Sequence, residues 1–247
     1  MIRAFVTAGA VLWAAQAGAV TCEKVTHDDK RYTVCEVDAA TEDMRLFLNG
    51  DDGALLGHFS SVNEALATNG ERLVFAMNAG MYHDDRSPVG HYVEEGQEQM
   101  RVISNPGPGN FGLLPNGVFC IREGRADVFE TLDFVDQAPA CRFATQSGPM
   151  LVIDGALHPR FLEDSTSRYI RNGVGTSADG TRVVFAISED AVTFHEFGRL
   201  FRDMLGTPNA LFLDGNISRM YERASNRSDI GFSLGPIVGV VEDTPSN

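Results

Sequence analysis

Short runs of apolar, β-branched and aromatic residues recur along the chain, each bounded by Gly, Asn, Asp or Pro, the pattern of strands closed by turns. They fall at Tyr32–Val37, Met44–Leu48, Arg72–Met77, Gly117–Arg122, Met150–Ile153, Arg182–Ser188, Ala210–Asp214 and Pro236–Val240. Two segments follow a helical period instead. Ser61-Val62-Asn63-Glu64 matches a capping box and predicts a short helix running to about Thr68. Thr193-Phe194-His195-Glu196 matches another, and Phe194, Phe197, Leu200, Phe201 and Leu205 continue it at helical spacing, with Gly206 and Pro208 as stop signals. The pattern predicts an α+β fold: a single domain with a mixed or mostly antiparallel sheet and a few packed helices.

The first residues read differently. Met1-Ile2-Arg3 is a short basic start, Ala4–Ala15 is apolar apart from Thr7, and Ala17-Gly18-Ala19 supplies small residues at a cleavage position. Residues 1–19 are thus expected to be a signal peptide, leaving 20–247 as the folded domain. The apolar run is shorter than the ~20 residues that span a bilayer, so no transmembrane anchor is expected. The reading is of an exported protein, periplasmic or extracellular. Cys22, Cys35, Cys120 and Cys141 remain after such a cleavage, and an even count in an exported chain reads as two disulfides. Three connectivities are possible; nearest-neighbour pairing, Cys22–Cys35 and Cys120–Cys141, is the simplest. No CxxC pair or His at ligand spacing accompanies them, which argues against zinc.

The chain has 247 residues, 34 Asp plus Glu against 20 Lys plus Arg, and a formal net charge of −14. This excess of acid argues against a nucleic-acid partner, because phosphate backbones require a basic face. No metal or other cofactor is expected, and no GxSxG elbow, HExxH helix or phosphate-binding P-loop occurs.

Chemistry is suggested by three predicted strands that run abruptly into small polar residues. Phe75-Ala76-Met77 leads into Asn78-Ala79-Gly80, Gln146-Ser147-Gly148-Pro149 precedes Met150, and Leu211-Phe212-Leu213 leads into Asp214-Gly215-Asn216-Ile217-Ser218. Each alone is an ordinary turn; three together suggest a site, since glycine permits close backbone approach and Asn, Ser and Asp supply directed hydrogen bonds. Arg168 and Arg171 flank Tyr169 just before Asn172-Gly173. In so acidic a chain, such a pair is a candidate clamp for an anion. Tyr82, Tyr92, Tyr169 and Tyr221 are candidates to stack on sugar rings or to pack within the fold.

The ordered set MNAGMY (77–82), SPVG (87–90), PNGVF (115–119), QSGPMLV (146–152), IRNGVG (170–175), VVFAIS (183–188) and LDGNISRMY (213–221) resembles the phosphodiester glycosidase family, in its bacterial exported branch. The resemblance spans about residues 70–240. It implies a hydrolase that cleaves the glycosidic bond of a glycosyl phosphodiester, small or part of a glycan, releasing free sugar and a phosphomonoester. It maps Asp214 and Arg171 onto catalytic positions, and Asn78, Gly80, Gln146, Ser147, Gly148, Asn172, Gly215 and Ser218 onto substrate-binding positions. Many members carry three glycines after the aspartate; here Asn216 and Ile217 follow Gly215, which narrows the space beside Asp214. An alternative is a non-catalytic envelope protein that binds a glycan or cell-wall polymer through the same residues.

Overall fold

The computed structural model describes residues 20–214 and 217–245. The signal-like segment 1–19 lies outside the described residues, as do Gly215 and Asn216. In chain order the strands are β1 (Thr21–His27), β2 (Lys30–Asp38), β3 (Asp43–Phe47), β4 (Glu71–Asn78), β5 (Tyr92–Glu94) and β6 (Gln97–Met100). Next come β7 (Gly117–Arg122), β8 (Arg125–Glu130), β9 (Phe143–Ser147), β10 (Met150–Ile153), β11 (Ala156–Leu157) and β12 (Asn172–Thr176). The series closes with β13 (Arg182–Ser188), β14 (Asn209–Phe212), β15 (Met220–Glu222), β16 (Arg227–Ser228) and β17 (Ile237–Asp243). Helices α1 (Phe59–Ala67), α2 (Thr131–Gln137) and α3 (Phe194–Arg199) interrupt them, and α3 passes into a π-helical turn, Leu200–Met204.

Three antiparallel sheets result, with strand orders β1-β2-β13-β12-β14-β10-β11, β16-β15-β4-β17-β3 and β6-β5-β9-β7-β8. The fold is therefore α+β and dominated by sheet. Side-chain alternation explains why they share one core. Along β2, Cys35 and Val37 point into the central cluster, while Tyr32 and Val34 point the other way; along β13, Val183, Phe185 and Ile187 alternate likewise with Val184 and Ala186. Phe75 and Met77 of β4 and Phe119 and Phe143 of the third sheet complete the same cluster. Each fully buried side chain of this kind contributes ~1.5–3 kcal/mol of transfer free energy.

Helices cover the outer faces. Phe59, Val62 and Leu66 of α1 pack on Leu73, Ala76 and Ile237, and Phe197, Leu200 and Phe201 pack against Val184, Ala186 and Phe212. Phe134 of α2 joins Val118 and Ala144 of the third sheet. Thr193 forms the expected capping box: its side chain accepts from the Glu196 amide and Glu196 accepts from the Thr193 amide. The Ser61 box does not form. Helix α1 starts earlier, with His58 as N-cap, because burying Phe59 in line with Val62 and Leu66 extends its apolar stripe by one turn.

Both nearest-neighbour disulfides are present. Cys22–Cys35 joins directly opposed residues of β1 and β2, and Cys120–Cys141 ties β7 to the segment entering β9. No helix among the described residues is long and apolar enough to cross a membrane.

Candidate active site

The ends of β4, β12 and β14 meet, and the junction is made by two asparagines. Asn78, the last residue of β4, is fully buried, as is Asn172, the first of β12. Their side-chain amides face each other: Asn78 Nδ2 donates to Asn172 Oδ1 (3.3 Å), and Asn172 Nδ2 donates to Asn78 Oδ1 (3.2 Å) and to the Asn78 carbonyl (3.0 Å). Asn78 Nδ2 also donates to the carbonyl of Asp214 (2.5 Å), and the Arg219 amide donates to Asn78 Oδ1 (2.9 Å). Buried amides require this full pairing, since an orphaned group costs ~1–3 kcal/mol.

Asp214 lies just beyond β14 and is held by its backbone. Its amide donates to the Ala79 carbonyl (3.1 Å), and the preceding Leu213 amide donates to the Asn172 carbonyl (3.0 Å). The residue is partly exposed, at the edge of this junction. Ser218 joins the same group, its hydroxyl lying within hydrogen-bond distance of Asn172 Oδ1 (3.1 Å) and the Ile170 carbonyl (3.2 Å). Asn78, Asn172 and the nearby pair Asp214 and Ser218, from three separate segments of the chain, are thereby brought into one network.

Gly80 brings β9 alongside. Its amide donates to Thr145 Oγ1 (3.2 Å), and a Cβ there would stand 2.3 Å from that oxygen and 2.5 Å from the Gln146 carbonyl oxygen. Only glycine permits this approach. Ser147 ends β9 with a buried hydroxyl that has no hydrogen-bond partner among the described residues. Gly148, in a cis peptide with Pro149, packs where a Cβ would lie 2.7 Å from Asn116 Cβ.

The Gln146 side chain is engaged internally. Its Oε1 accepts from the amides of His91 and Ile103, and its Nε2 donates to the Ile103 carbonyl and to Thr131 Oγ1. These bonds tie the 91–103 segment to β9 and to the start of α2. Tyr92 lies in the central core rather than at a surface.

Arg171 and Arg168, adjacent in sequence, have different surroundings. Arg168 is half-exposed and paired with Glu196 (2.7 Å). Arg171 is 2% exposed; its Nε donates to the Val192 carbonyl (2.9 Å) and its Nη2 to the Ser167 carbonyl (3.1 Å). The guanidinium carbon lies 3.7 Å from the Phe194 ring centroid, with Tyr169 and Phe212 at 5.4 and 5.5 Å. Successive residues of an extended chain project oppositely; the Arg171 guanidinium accordingly packs among these rings while the Asn172 amide turns to Asn78. Burial pulls the Arg171 pKa down to about 10, so the group is still charged at neutral pH.

Arg219 has a comparable environment; it lies within the LDGNISRMY motif (213–221) but is not among the expected site residues. It is 5% exposed, its Nε has no hydrogen-bond partner among the described residues, and its Nη2 donates to the Phe232 carbonyl. Burial lowers its pKa, against the opposing influence of Tyr82 and Asp229. Tyr82 links this arginine electrostatically to the aspartate: burial first, then the Asp214 charge, push its phenol up to about 12, while Arg86 and Arg219 act the other way. Arg171 and Arg219 are the buried arginines that make no ion pair among the described residues. A buried cation without a carboxylate is costly, and an anionic ligand would supply the missing charge.

Elsewhere the chemistry is less suitable. No group of three or more His, Cys, Asp or Glu among the described residues is placed to hold a metal ion. A surface cleft beside α1 is lined by Glu64, Glu71, Glu94 and Glu95, which would repel an anion.

Residues 71–240 match the phosphodiester glycosidase family. The Escherichia coli (strain K12) protein YigE is 33% identical over 185 residues, covering 75% of this chain and 72% of YigE. Among solved structures, the catalytic domain of zebrafish N-acetylglucosamine-1-phosphodiester alpha-N-acetylglucosaminidase, auto-inhibited by its pro-peptide, superposes with a TM-score of 0.59 at 15% identity, covering 90% of this chain and 81% of that one. A hypothetical protein from Synechocystis gives the same TM-score at 12% identity, covering 90% of this chain and 61% of its own. The structural likenesses speak to the fold alone, but the sequence match over most of the chain is decisive: this protein belongs to the phosphodiester glycosidase family.

Proposed function

We propose that the protein is an exported hydrolase that cleaves the glycosidic bond of a glycosyl phosphodiester, giving free sugar and a phosphomonoester. The observation that carries this reading is a partly exposed aspartate fixed at the junction of three strand ends, with Tyr82 under the opposing charges of that aspartate and of Arg219, a buried arginine that makes no ion pair among the described residues. Export is supported by the signal-like residues 1–19 and by two disulfides, which persist in oxidising compartments.

Ordinary glycosidases use one carboxyl to protonate the leaving oxygen and another to attack or to activate water. A phosphodiester leaves as a stable phosphate anion, so protonation matters less and a cation beside the developing charge can replace the acid. In this scheme water adds to the anomeric carbon while its bond to the phosphate oxygen breaks, the electron pair leaving with the phosphate. Asp214 either takes the proton of that water or first forms the glycosyl ester that water then hydrolyses. Arg171 holds the phosphate. Asn78, Asn172 and Ser218 set the position of Asp214, Ser147 offers its unpartnered hydroxyl to the substrate, and Gln146 acts as a positioning residue through the 91–103 segment. Gly80 and Gly148 let the chain pack closely against Thr145, Gln146 and Asn116, which brings Ser147 and β9 up to the site.

The test is a product assay with mature protein on a panel of glycosyl phosphodiesters. Free sugar and phosphomonoester are expected, with Asp214→Asn slower by ~100-fold or more. Full turnover by Asp214→Asn would remove its assigned role.

A further inference from the structure

Each buried arginine without an ion pair among the described residues, Arg171 and Arg219, lies against an exposed apolar segment. Over Arg171 sits Tyr169, 53% exposed, followed by Ile170, 38% exposed, whose carbonyl lies 3.2 Å from the Ser218 hydroxyl. Beside Arg219 lies Gly231, where a Cβ would be 3.1 Å from the guanidinium carbon, and Arg219 donates to the next carbonyl, that of Phe232. The residues flanking Gly231 are Ile230, 96% exposed, and Phe232, 82% exposed. Single exposed hydrophobics are ordinary, but these four lie on two loops anchored to the consecutive residues Ser218 and Arg219. Folding gains little from Ile230 and Phe232, which are left almost fully in water.

We infer that the two loops form a hydrocarbon subsite, and that the phosphodiester carries a long apolar chain on the arm opposite its sugar. This rests on the proposed function and specifies the substrate class. The sugar lies toward Asp214, the phosphate meets buried cations, and the chain runs outward across Ile230, Phe232, Tyr169 and Ile170. An amphiphile with an anionic centre and an apolar tail matches a site in which unpaired arginines adjoin an exposed apolar rim. A bilayer surface is a poorer occupant, because a protein of net charge −14 is repelled by anionic headgroups.

Two synthetic diesters of the same sugar, with methyl and decyl groups on the phosphate, test this in detergent-free buffer below micelle formation. The decyl ester is expected to show a kcat/KM higher on the order of 30-fold, as for a chain partly buried on the rim. The ratio should fall close to unity in Ile230→Ser/Phe232→Ser. Equal kcat/KM for the two esters in wild type, or a preference unchanged in the variant, overturns the inference. Binding of decyl phosphate against methyl phosphate, followed by calorimetry, separates the subsite from the chemistry. Tighter decyl phosphate binding that the variant loses supports the subsite even where neither diester is turned over, a result that would defeat the proposed function alone. Loop-dependent binding to phosphatidylcholine vesicles without any decyl preference would assign the loops to a membrane instead and overturn the inference.

Discussion

Replacing Asn78 by alanine probes the junction on which the candidate site is built. The substitution removes the reciprocal amide bonds to Asn172 and the bond to the Asp214 carbonyl, and it deprives the Arg219 amide of its acceptor at 2.9 Å. A typical hydrogen bond contributes ~1 kcal/mol net, whereas a buried donor left without a partner costs ~1–3 kcal/mol. Asn172 keeps its bond to the Asn78 backbone carbonyl and its contact with Ser218, so its loss is partial. Together these give a destabilisation of ~3 kcal/mol, measurable by urea unfolding with disulfides intact and an unchanged denaturant slope. Because the two amides share bonds, Asn78→Ala and Asn172→Ala should not add; a coupling of ~1 kcal/mol or more is expected in the double variant. A loss below ~1 kcal/mol, or strict additivity, would refute the view that this pair locks the strand ends together.

Gly80→Ala should destabilise by ~2 kcal/mol or more in the same assay, since the new methyl meets Thr145 and the Gln146 backbone at 2.3 and 2.5 Å; wild-type stability in that variant would deny the close approach of β4 and β9. Arg171→Met should raise the KM for a phosphodiester on the order of tenfold and destabilise by ~1–3 kcal/mol, because it loses the bonds to the Val192 and Ser167 carbonyls and the contact with the Phe194 ring; an unchanged KM would exclude it as the phosphate ligand. Burial pushes the Glu42 carboxyl up from 4.5 to about 7, against the lowering effect of the Asp38 amide that it accepts from. The folded protein therefore keeps a proton that the unfolded chain releases, so stability falls as pH rises from 4.5 to 7. Glu42→Gln should match wild type near pH 4.5 and exceed it by ~1–2 kcal/mol above pH 7 after solvent screening, and equal unfolding midpoints at pH 8 would contradict this.

The strands that carry the site were legible because they end in residues with a physical reason to be there. Asn78-Ala79-Gly80 and Asp214 follow apolar runs whose alternation places them beyond sheet ends. Strand β12 was hidden. Asn172-Gly173-Val174-Gly175 reads as a turn by composition, yet it is a buried central strand in which a Cβ at Gly175 would stand 2.9 Å from Phe201. Its glycines make room for the neighbouring helix, a demand visible only in three dimensions. Arg168 and Arg171 looked equivalent until folding brought Glu196 to Arg168 and left Arg171 among aromatic rings. Arg219 stood inside the LDGNISRMY motif without any sign of its role; its interest comes from burial without an ion pair among the described residues, which depends on the 230–232 loop. The two capping boxes show the same limit. Both satisfy the local pattern, and the position of the first buried aromatic decided which one formed.

The most direct test is the fate of water oxygen during turnover of a glycosyl phosphodiester in heavy-oxygen water. Cleavage of the glycosidic bond puts the heavy oxygen on the anomeric carbon of the released sugar and leaves the phosphomonoester unlabelled. Label in the phosphate, with the sugar released as its phosphate, would mean that the P–O bond breaks and would contradict the account.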